Sequence, residues 1–405
     1  MPESAALGEA MKIAIVHNTY QQKGGEDAVV AAESRLLENH GHKVVRYSRS
    51  NEEIAVMSRP ERLLMVKDLI HSEKSKKELC ALLRSEKPDV AHVHNTFMMM
   101  SPSVYEACAD AEVPVVQTLH NYRLLCPGWS FSRNGEVCEQ CLDHGLWRGV
   151  WHGCYRGSRP MTAAVALMLQ VHRSMGTWDR SVDGYVALTD FARQKFIQGG
   201  LPSQVLHVKP NFLADDPGER TSSGRSVLFV GRLSAEKGVN VLLRAWRKLG
   251  AAIPLIIMGD GPLRESLEVE AARSGLSDVT FTGWQGRFEI LTAMQQAAFL
   301  VLPSVCYEGF PMTLVEAFAC GTPVICSGIG SPQEIVENGK TGLHFQTGDA
   351  DDLASKIEYA WNRPAALSAM GRAARQEFEK RYTAETNYQQ LLQIYEKSIA
   401  HAARH

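Results

Sequence analysis

The sequence predicts an α/β protein made of two doubly wound parallel sheets that face a common cleft. Three observations carry that expectation. Short apolar, β-branched runs alternate with amphipathic segments over most of the chain; the alternation breaks once, at 209–224; and it then restarts and continues toward residue 380. Apolar strands interleaved with helices imply βαβ units, whose parallel sheets are covered on both faces. At 405 residues the chain is also too long for one compact core, so two domains are expected.

In the first half, MKIAIVHN (11–18), KVVRYS (43–48), DVAHVHN (89–95), VPVVQTLHN (113–121) and DGYVALT (183–189) read as strands. The intervening DAVVAAESRLLENHG places Val30, Leu36 and Leu37 near helical spacing, and Gly41 ends the run. KPNFLADDPGERTSSG, at 209–224, has the Pro, Asp, Ser and Gly content of a linker. Beyond it come SVLFVGRL, a helix through NVLLRAWRKL, IPLIIMGDG, a helix at 262–275, VTFTGW, AAFLVLPS, a helix after 311 and TPVICSG. The expected division is a first domain at 1–208, a linker at 209–224 and a second domain at 225–380. A last helical stretch, 381–405, has Tyr388, Leu391, Leu392, Ile394 and Tyr395 at helical spacing and is expected to pack back on the first domain.

Charge excludes some functions. With 43 basic against 45 acidic residues, the net charge of −2 argues against a general nucleic-acid binder. The N-terminus lacks the basic and long apolar regions of a secretory signal, so a cytoplasmic protein is expected. The longest apolar run, MTAAVALMLQV (161–171), falls short of the ~20 residues that cross a bilayer and reads as a core helix. The alternative is a helix lying on the membrane. In a reducing compartment the nine cysteines are free thiols or metal ligands rather than disulfides.

Ligands of doubly wound sheets bind beyond the carboxyl ends of the strands, and the motifs fall there. In VGRLSAEKGVN, Arg232 and Lys237 flank a short loop before a helix, where free amides already favour anions, as a diphosphate site requires. Two solvated basic residues would fit R-x4-K alone. Gly24 and Gly25, in GGED after the first strand, admit close backbone approach to a ligand, though a tight turn fits as well. This segment has neither the Walker nor the G-x-G-x-x-G pattern, so the usual ATP and NAD signals are missing. Gly261, in MGDGPLRE, belongs to a turn whose backbone suits a ligand, with Pro262 at the first helical turn. Trp284, in FTGW, offers a flat indole to a nucleobase or serves as packing. His120 ends its strand toward the cleft. His92 and His94 share a strand face, but no third metal ligand is evident and packing is the expectation. EGFPMTLVE, finally, sets Glu308 on a loop and Glu316 on the following helix with no charge between them.

Taken together, GGED, TLHN, GRLSAEKG, GDGPL and EGFPMTLVEAFACGTPVI resemble the retaining nucleotide-sugar glycosyltransferases of family 4, which have the GT-B fold. The resemblance covers nearly the whole chain and is strongest from 226 to 345. It implies that Glu308 contacts hydroxyls of a donor sugar and Glu316 the ribose, with Gly309, Phe310, Thr313 and Leu314 lining the path between them. Arg232 and Lys237 would meet the diphosphate, Gly25 would approach it from the first domain, and His120 would lie beside the sugar. It implies a donor such as a UDP- or GDP-sugar, no cofactor for catalysis, and a glycan or polyprenyl-linked acceptor. It further implies a role in bacterial surface polysaccharide synthesis, with peripheral association at the inner membrane face. A UDP-sugar epimerase of the same fold and a non-catalytic sugar-nucleotide binder are the rival readings. Between 121 and 158 the chain departs from the plain family pattern, resembling a subgroup of bacterial polysaccharide glycosyltransferases. Here Cys126, Cys138, Cys141 and Cys154 include a C-x2-C pair; a structural zinc site and four separate thiols both fit.

Overall fold

The computed structural model describes residues 10–21, 24–57, 59–220, 224–250 and 253–404. Parts of the expected first domain, linker and C-terminal stretch (1–9, 221–223 and 405) lie outside them.

The first sheet is built from β1 (Lys12–Thr19), β2 (Lys43–Ser50), β3 (Val90–Val93), β4 (Val115–Leu119), β7 (Gly184–Ala187) and β8 (Leu206–Val208), after a hairpin of β5 (Ser132–Arg133) and β6 (Glu136–Val137) interrupts the chain order. Its order is β2-β1-β3-β4-β7-β8, parallel throughout. The second sheet, of β9 (Val227–Val230), β10 (Leu255–Met258), β11 (Val279–Gly283), β12 (Phe299–Leu302), β13 (Val324–Ser327) and β14 (Gly342–Phe345), has the order β11-β10-β9-β12-β13-β14 and is also parallel. The chain therefore has the GT-B architecture of two α/β domains. In each sheet the strand order reverses beside the first strand, at β1/β3 and at β9/β12. Such a reversal opens a crevice at the strand carboxyl ends.

The strands read from sequence are present; β1 runs on to Thr19 and β2 to Ser50, while the others are shortened. β8 and β14 were not read. β8 is a three-residue edge strand with an exposed Val208, and β14 is only GLHF, so neither makes a long apolar run. The apolar run at 161–171 lies in the helix Arg159–Met175, which buries Thr162, Val165, Ala166, Met168, Leu169 and His172. Its other face exposes Leu167 and Met175, so it is a core helix on one side only. Among the described residues, no helix is long and apolar enough to cross a membrane.

The C-terminal helix Ala384–Ala402 lies on the first sheet, where Tyr388, Leu391, Ile394 and Tyr395 are buried with Ile13, Ile15, Val116 and Val186. Two polar contacts fix its register: the Tyr388 hydroxyl meets His42 Nε2 at 2.8 Å, and the Tyr395 hydroxyl meets His92 Nδ1 at 2.8 Å. Replacing the fully buried Leu391 with alanine removes packing from this seam, and the expected loss in denaturant unfolding is about 2–5 kcal/mol. An unchanged unfolding midpoint would contradict the docking.

Candidate active site

The loop after β9 turns through a short 3-10 segment, Ala235–Lys237, and Gly238 at φ 69° redirects it into the helix Val239–Leu249. A side chain at Gly238 would collide with the Pro303 carbonyl after β12, so the two loops are locked together. Lys237 Nζ donates to Glu308 Oε1 at 2.6 Å, and Ser304 Oγ donates to the same oxygen at 2.6 Å. Burial pulls the Lys237 ammonium down, but the adjacent Glu308 carboxylate outweighs it and the net shift is upward. Arg232 is exposed at the start of the same loop.

Four residues beyond Glu308, the helix Met312–Ala319 begins behind Pro311, with no charged residue in its first turn. Its leading amides have no partners within the helix and favour an anion. Leu314, by contrast, bonds the Pro311 carbonyl at 3.0 Å, so Met312 and Thr313 carry that role. Glu316 is half-buried on the same helix; burial raises its carboxyl above the usual range and Arg287 draws it back. Phe310 packs between the cores of both halves.

From the first half, Gly24 caps the helix Gly25–Asn39, and the Gly25 backbone comes to face Met312 across the cleft. Gly309 presses against the His120 carbonyl so closely that any Cβ would collide with it. Arg232, Lys237, Glu308, Gly309 and the start of the Met312 helix therefore share the end of one sheet, while Gly25 and His120 face them from the other. Gly261 is required by packing, since a Cβ there would strike the Leu233 backbone. Trp284 is 77 % exposed and is not a packing residue; Phe288, which the sequence did not single out, is exposed nearby in the chain.

His120 is the end of a buried polar chain that the sequence reading missed. Its Nε2 meets His94 Nδ1 at 3.0 Å. His94 Nε2 faces Glu33 Oε2 at 3.8 Å, and Glu33 Oε1 accepts from the fully buried Lys209 at 2.5 Å. Burial, reinforced by neighbouring histidines and Lys209, pushes both His94 and His120 well below the usual histidine range, so both are neutral at pH 7. Among the described residues Glu33, His92 and His94 bring ligand atoms within 4.8 Å of one another, which corrects the expectation that the histidine pair had no third partner. Glu33 comes from a helix remote in sequence. Both His92 nitrogens are engaged, however, by Tyr395 and by Thr118 at 2.8 Å, and Lys209 already neutralises Glu33. The cluster is an internal ion pair with its hydrogen-bond partners. Glu26 and Arg123 line the cavity beside His94 and His120 and were also missed as site residues, although Glu26 lies inside the quoted GGED and Arg123 just after TLHN. Burial drives Glu26 up to about 7 against the opposing pull of His17, and Arg123, stacked 3.8 Å over the Phe97 ring, has no hydrogen-bond partner for Nε and Nη1 among the described residues.

The four cysteines lie in one neighbourhood. Burial pushes Cys141 up to about 12, and Cys126, Cys154 and Cys138 add to the shift. Their sulfurs do not form a group of three within 4.8 Å.

Two family models match, a "Glycosyl transferase 4-like domain" at residues 24–211 and "Glycosyl transferases group 1" at 216–377. The chain belongs to the GT-B glycosyltransferases. It is 33 % identical over 170 residues to an uncharacterized glycosyltransferase of Methanocaldococcus jannaschii, a match covering 42 % of this chain and 47 % of that protein. It is 28 % identical over 319 residues to glycogen synthase of Mycobacterium tuberculosis, covering 77 % of this chain and 69 % of the synthase. The chain thus spans about half the length of the first relative. The crystal structure of Anabaena HepE in complex with UDP aligns with a TM-score of 0.66 at 19 % identity, covering 95 % of this chain and 99 % of that one.

The Gly309–His120 contact makes a direct test of this closed arrangement. Gly309→Ala is expected to weaken binding of a nucleoside-diphosphate sugar by at least about tenfold in calorimetry, because a forced backbone shift of even 1 Å misplaces facing groups. Unchanged affinity would show that the contact does not shape the site.

Proposed function

We propose that the chain is a retaining glycosyltransferase that moves a sugar from a nucleoside-diphosphate sugar, a UDP- or GDP-sugar, to a glycan or polyprenyl-linked acceptor. In this reading the second domain, 225–380, holds the donor and the first, 1–208, the acceptor, with 209–224 as linker and 381–405 returning to the first. The observation that carries it is the Lys237–Glu308–Ser304 cluster immediately before a helix with an uncharged first turn and Glu316 beyond it. That order matches the order of a donor: sugar hydroxyls at Glu308, diphosphate at Arg232, Lys237 and the helix amides, and ribose at Glu316. The UDP bound by HepE, a protein of the same fold, is consistent with it.

The chemistry follows from where charge develops. As the bond between the anomeric carbon and the diphosphate oxygen breaks, negative charge grows on the leaving group, where Lys237, Arg232 and the amides stabilise it. The acceptor hydroxyl attacks from the face the diphosphate leaves, and its proton passes to a leaving phosphate oxygen. The anomeric configuration is retained. Neutral His120 offers a hydrogen bond to the sugar without adding charge. An epimerase of the same fold would invert a stereocentre of the sugar and form no acceptor product. A non-catalytic binder would turn over no donor at all. Transfer in bacterial surface polysaccharide synthesis, in the cytoplasm at the inner membrane face, completes the proposal.

The two glutamates separate binding from transfer. Glu316→Ala is expected to weaken binding of the bare nucleoside diphosphate by about tenfold or more, because the ribose is present in donor and product alike. Glu308→Ala is expected to leave that affinity within about threefold while lowering kcat for transfer by at least about a hundredfold. Calorimetry and product assays read the difference, and equal weakening of nucleotide binding by both would defeat the donor order.

We also propose a structural zinc ion at Cys126, Cys138, Cys141 and Cys154, since the four thiols lie in one neighbourhood and a cation would offset the burial that raises the Cys126, Cys141 and Cys154 thiols. Metal analysis of untagged, reduced protein is expected to give about one equivalent, lost in Cys138→Ser/Cys141→Ser. Less than about a tenth of an equivalent in the wild type would exclude it.

A further inference from the structure

From His144 to Trp178 the chain carries Arg148, Arg156, Arg159 and Arg173 and no aspartate or glutamate, although the whole protein has a net charge of −2. Two helices in this stretch, Trp147–His152 and Arg159–Met175, pack against each other. On the shorter one Trp147 is 55 % and Trp151 64 % exposed, four positions apart and so on one face. On the longer one the outward positions are Pro160, Leu167, Gln170, Ser174 and Met175, with Ala163, Ala164 and Val171 half-covered between them. Leu167 is 50 % and Met175 57 % exposed. A helix lying over a soluble core ordinarily turns charged residues to water, and this one turns none between Arg159 and Arg173.

The arginines frame the tryptophans. The Arg148 guanidinium lies 4.3 Å from the centre of the Trp147 ring. Arg159 lies 5.6 Å from that of Trp151 and donates from Nε to the Trp151 carbonyl at 3.0 Å. Arg156 is exposed on the turn between the helices. Indole rings with one wet edge, beside cations and an uncharged helical face, have the chemistry of the headgroup layer of a membrane. The chain just before this stretch reaches the cleft: Glu139 accepts from the Tyr307 hydroxyl at 2.6 Å, and Tyr307 precedes Glu308.

We propose that this face, Trp147, Trp151, Leu167 and Met175 framed by Arg148, Arg156 and Arg159, docks the protein onto an anionic lipid surface. The inference rests on the reading of the acceptor as lipid-linked and names the surface that brings the enzyme to it. A two-fold contact between copies would set arginines against arginines, and an anionic bilayer neutralises them. The framing arginines supply the local attraction that a chain of net negative charge needs at such a surface.

The test is sedimentation of the full chain with vesicles of phosphatidylglycerol and phosphatidylcholine, or of phosphatidylcholine alone. Binding is expected to favour the anionic vesicles by at least about tenfold and to weaken in 0.5 M salt. Trp147→Ser/Trp151→Ser is expected to weaken it about tenfold or more, and Arg148→Glu/Arg159→Glu at least about twentyfold. Thermal melting of both variants, expected to be unchanged, verifies their fold. Equal binding to both vesicle types, no binding to either, or unaltered binding by folded variants would overturn the proposal. So would concentration-dependent dimerisation in ultracentrifugation that the tryptophan variant abolishes. Donor binding, measured by calorimetry without vesicles, fails or holds independently: loss of vesicle binding with donor binding intact defeats only the docking, and the reverse defeats only the function.

Discussion

The cleft is organised around one partly buried ion pair, Lys237 with Glu308, shared with the Ser304 hydroxyl. Two charges drawn out of water cost more than their attraction returns unless further hydrogen bonds satisfy them. Here a single carboxylate oxygen takes both the ammonium and the hydroxyl, so each ion holds the other's geometry. The residues that compose the pair belong to different loops, after β9 and after β12. Keeping them at 2.6 Å requires Gly238 to pass under Pro303 and requires both strands to end at the same level. An incoming diphosphate would compete for the same ammonium. It would leave Glu308 to find new donors, and sugar hydroxyls can supply them. Under the proposed function, the pair would link donor charge to donor sugar through one exchange of partners.

Around that pair polar contacts of modest size join helix starts and loops of the two halves. Glu334 accepts from the Asp190 and Phe191 amides, at 2.9 and 2.7 Å, and so caps a helix of the opposite half. Thr189 meets Ser331 at 3.0 Å, and Ser331 donates to the Gly309 carbonyl at 3.0 Å. These hydrogen bonds lie beside apolar contacts across the cleft, where Tyr307 packs against Tyr122, Phe131 and Phe191 and Phe310 touches both cores. A second apolar seam lies where the C-terminal helix covers the first sheet.

How legible this was in the sequence depended on whether a feature is local. KIAIVHN announced β1 because a strand buried on both faces must be a continuous apolar run. The edge strand at 206–208 and the helix Arg287–Gln296, which lacks a clear apolar stripe, gave no such signal. Lys237, Glu308 and Glu316 were each readable from motif and resemblance, but the pairing of the first two spans 71 positions and was not. Glu33 was hidden inside an amphipathic pattern, and Lys209 within a stretch that composition marked as linker. Their bond spans 176 positions. The run at 161–171 showed its apolar character plainly while concealing that only one face is buried. Periodicity reports which residues are apolar and says nothing of what covers them.

The most direct measurement is a crystal structure of the protein with a non-hydrolysable nucleoside-diphosphate sugar. The account predicts that Lys237 Nζ leaves Glu308 for phosphate oxygens, that Glu308 takes hydroxyls of the sugar, and that Glu316 takes those of the ribose. A donor bound with the Lys237–Glu308 pair still closed and its phosphates held elsewhere would contradict it.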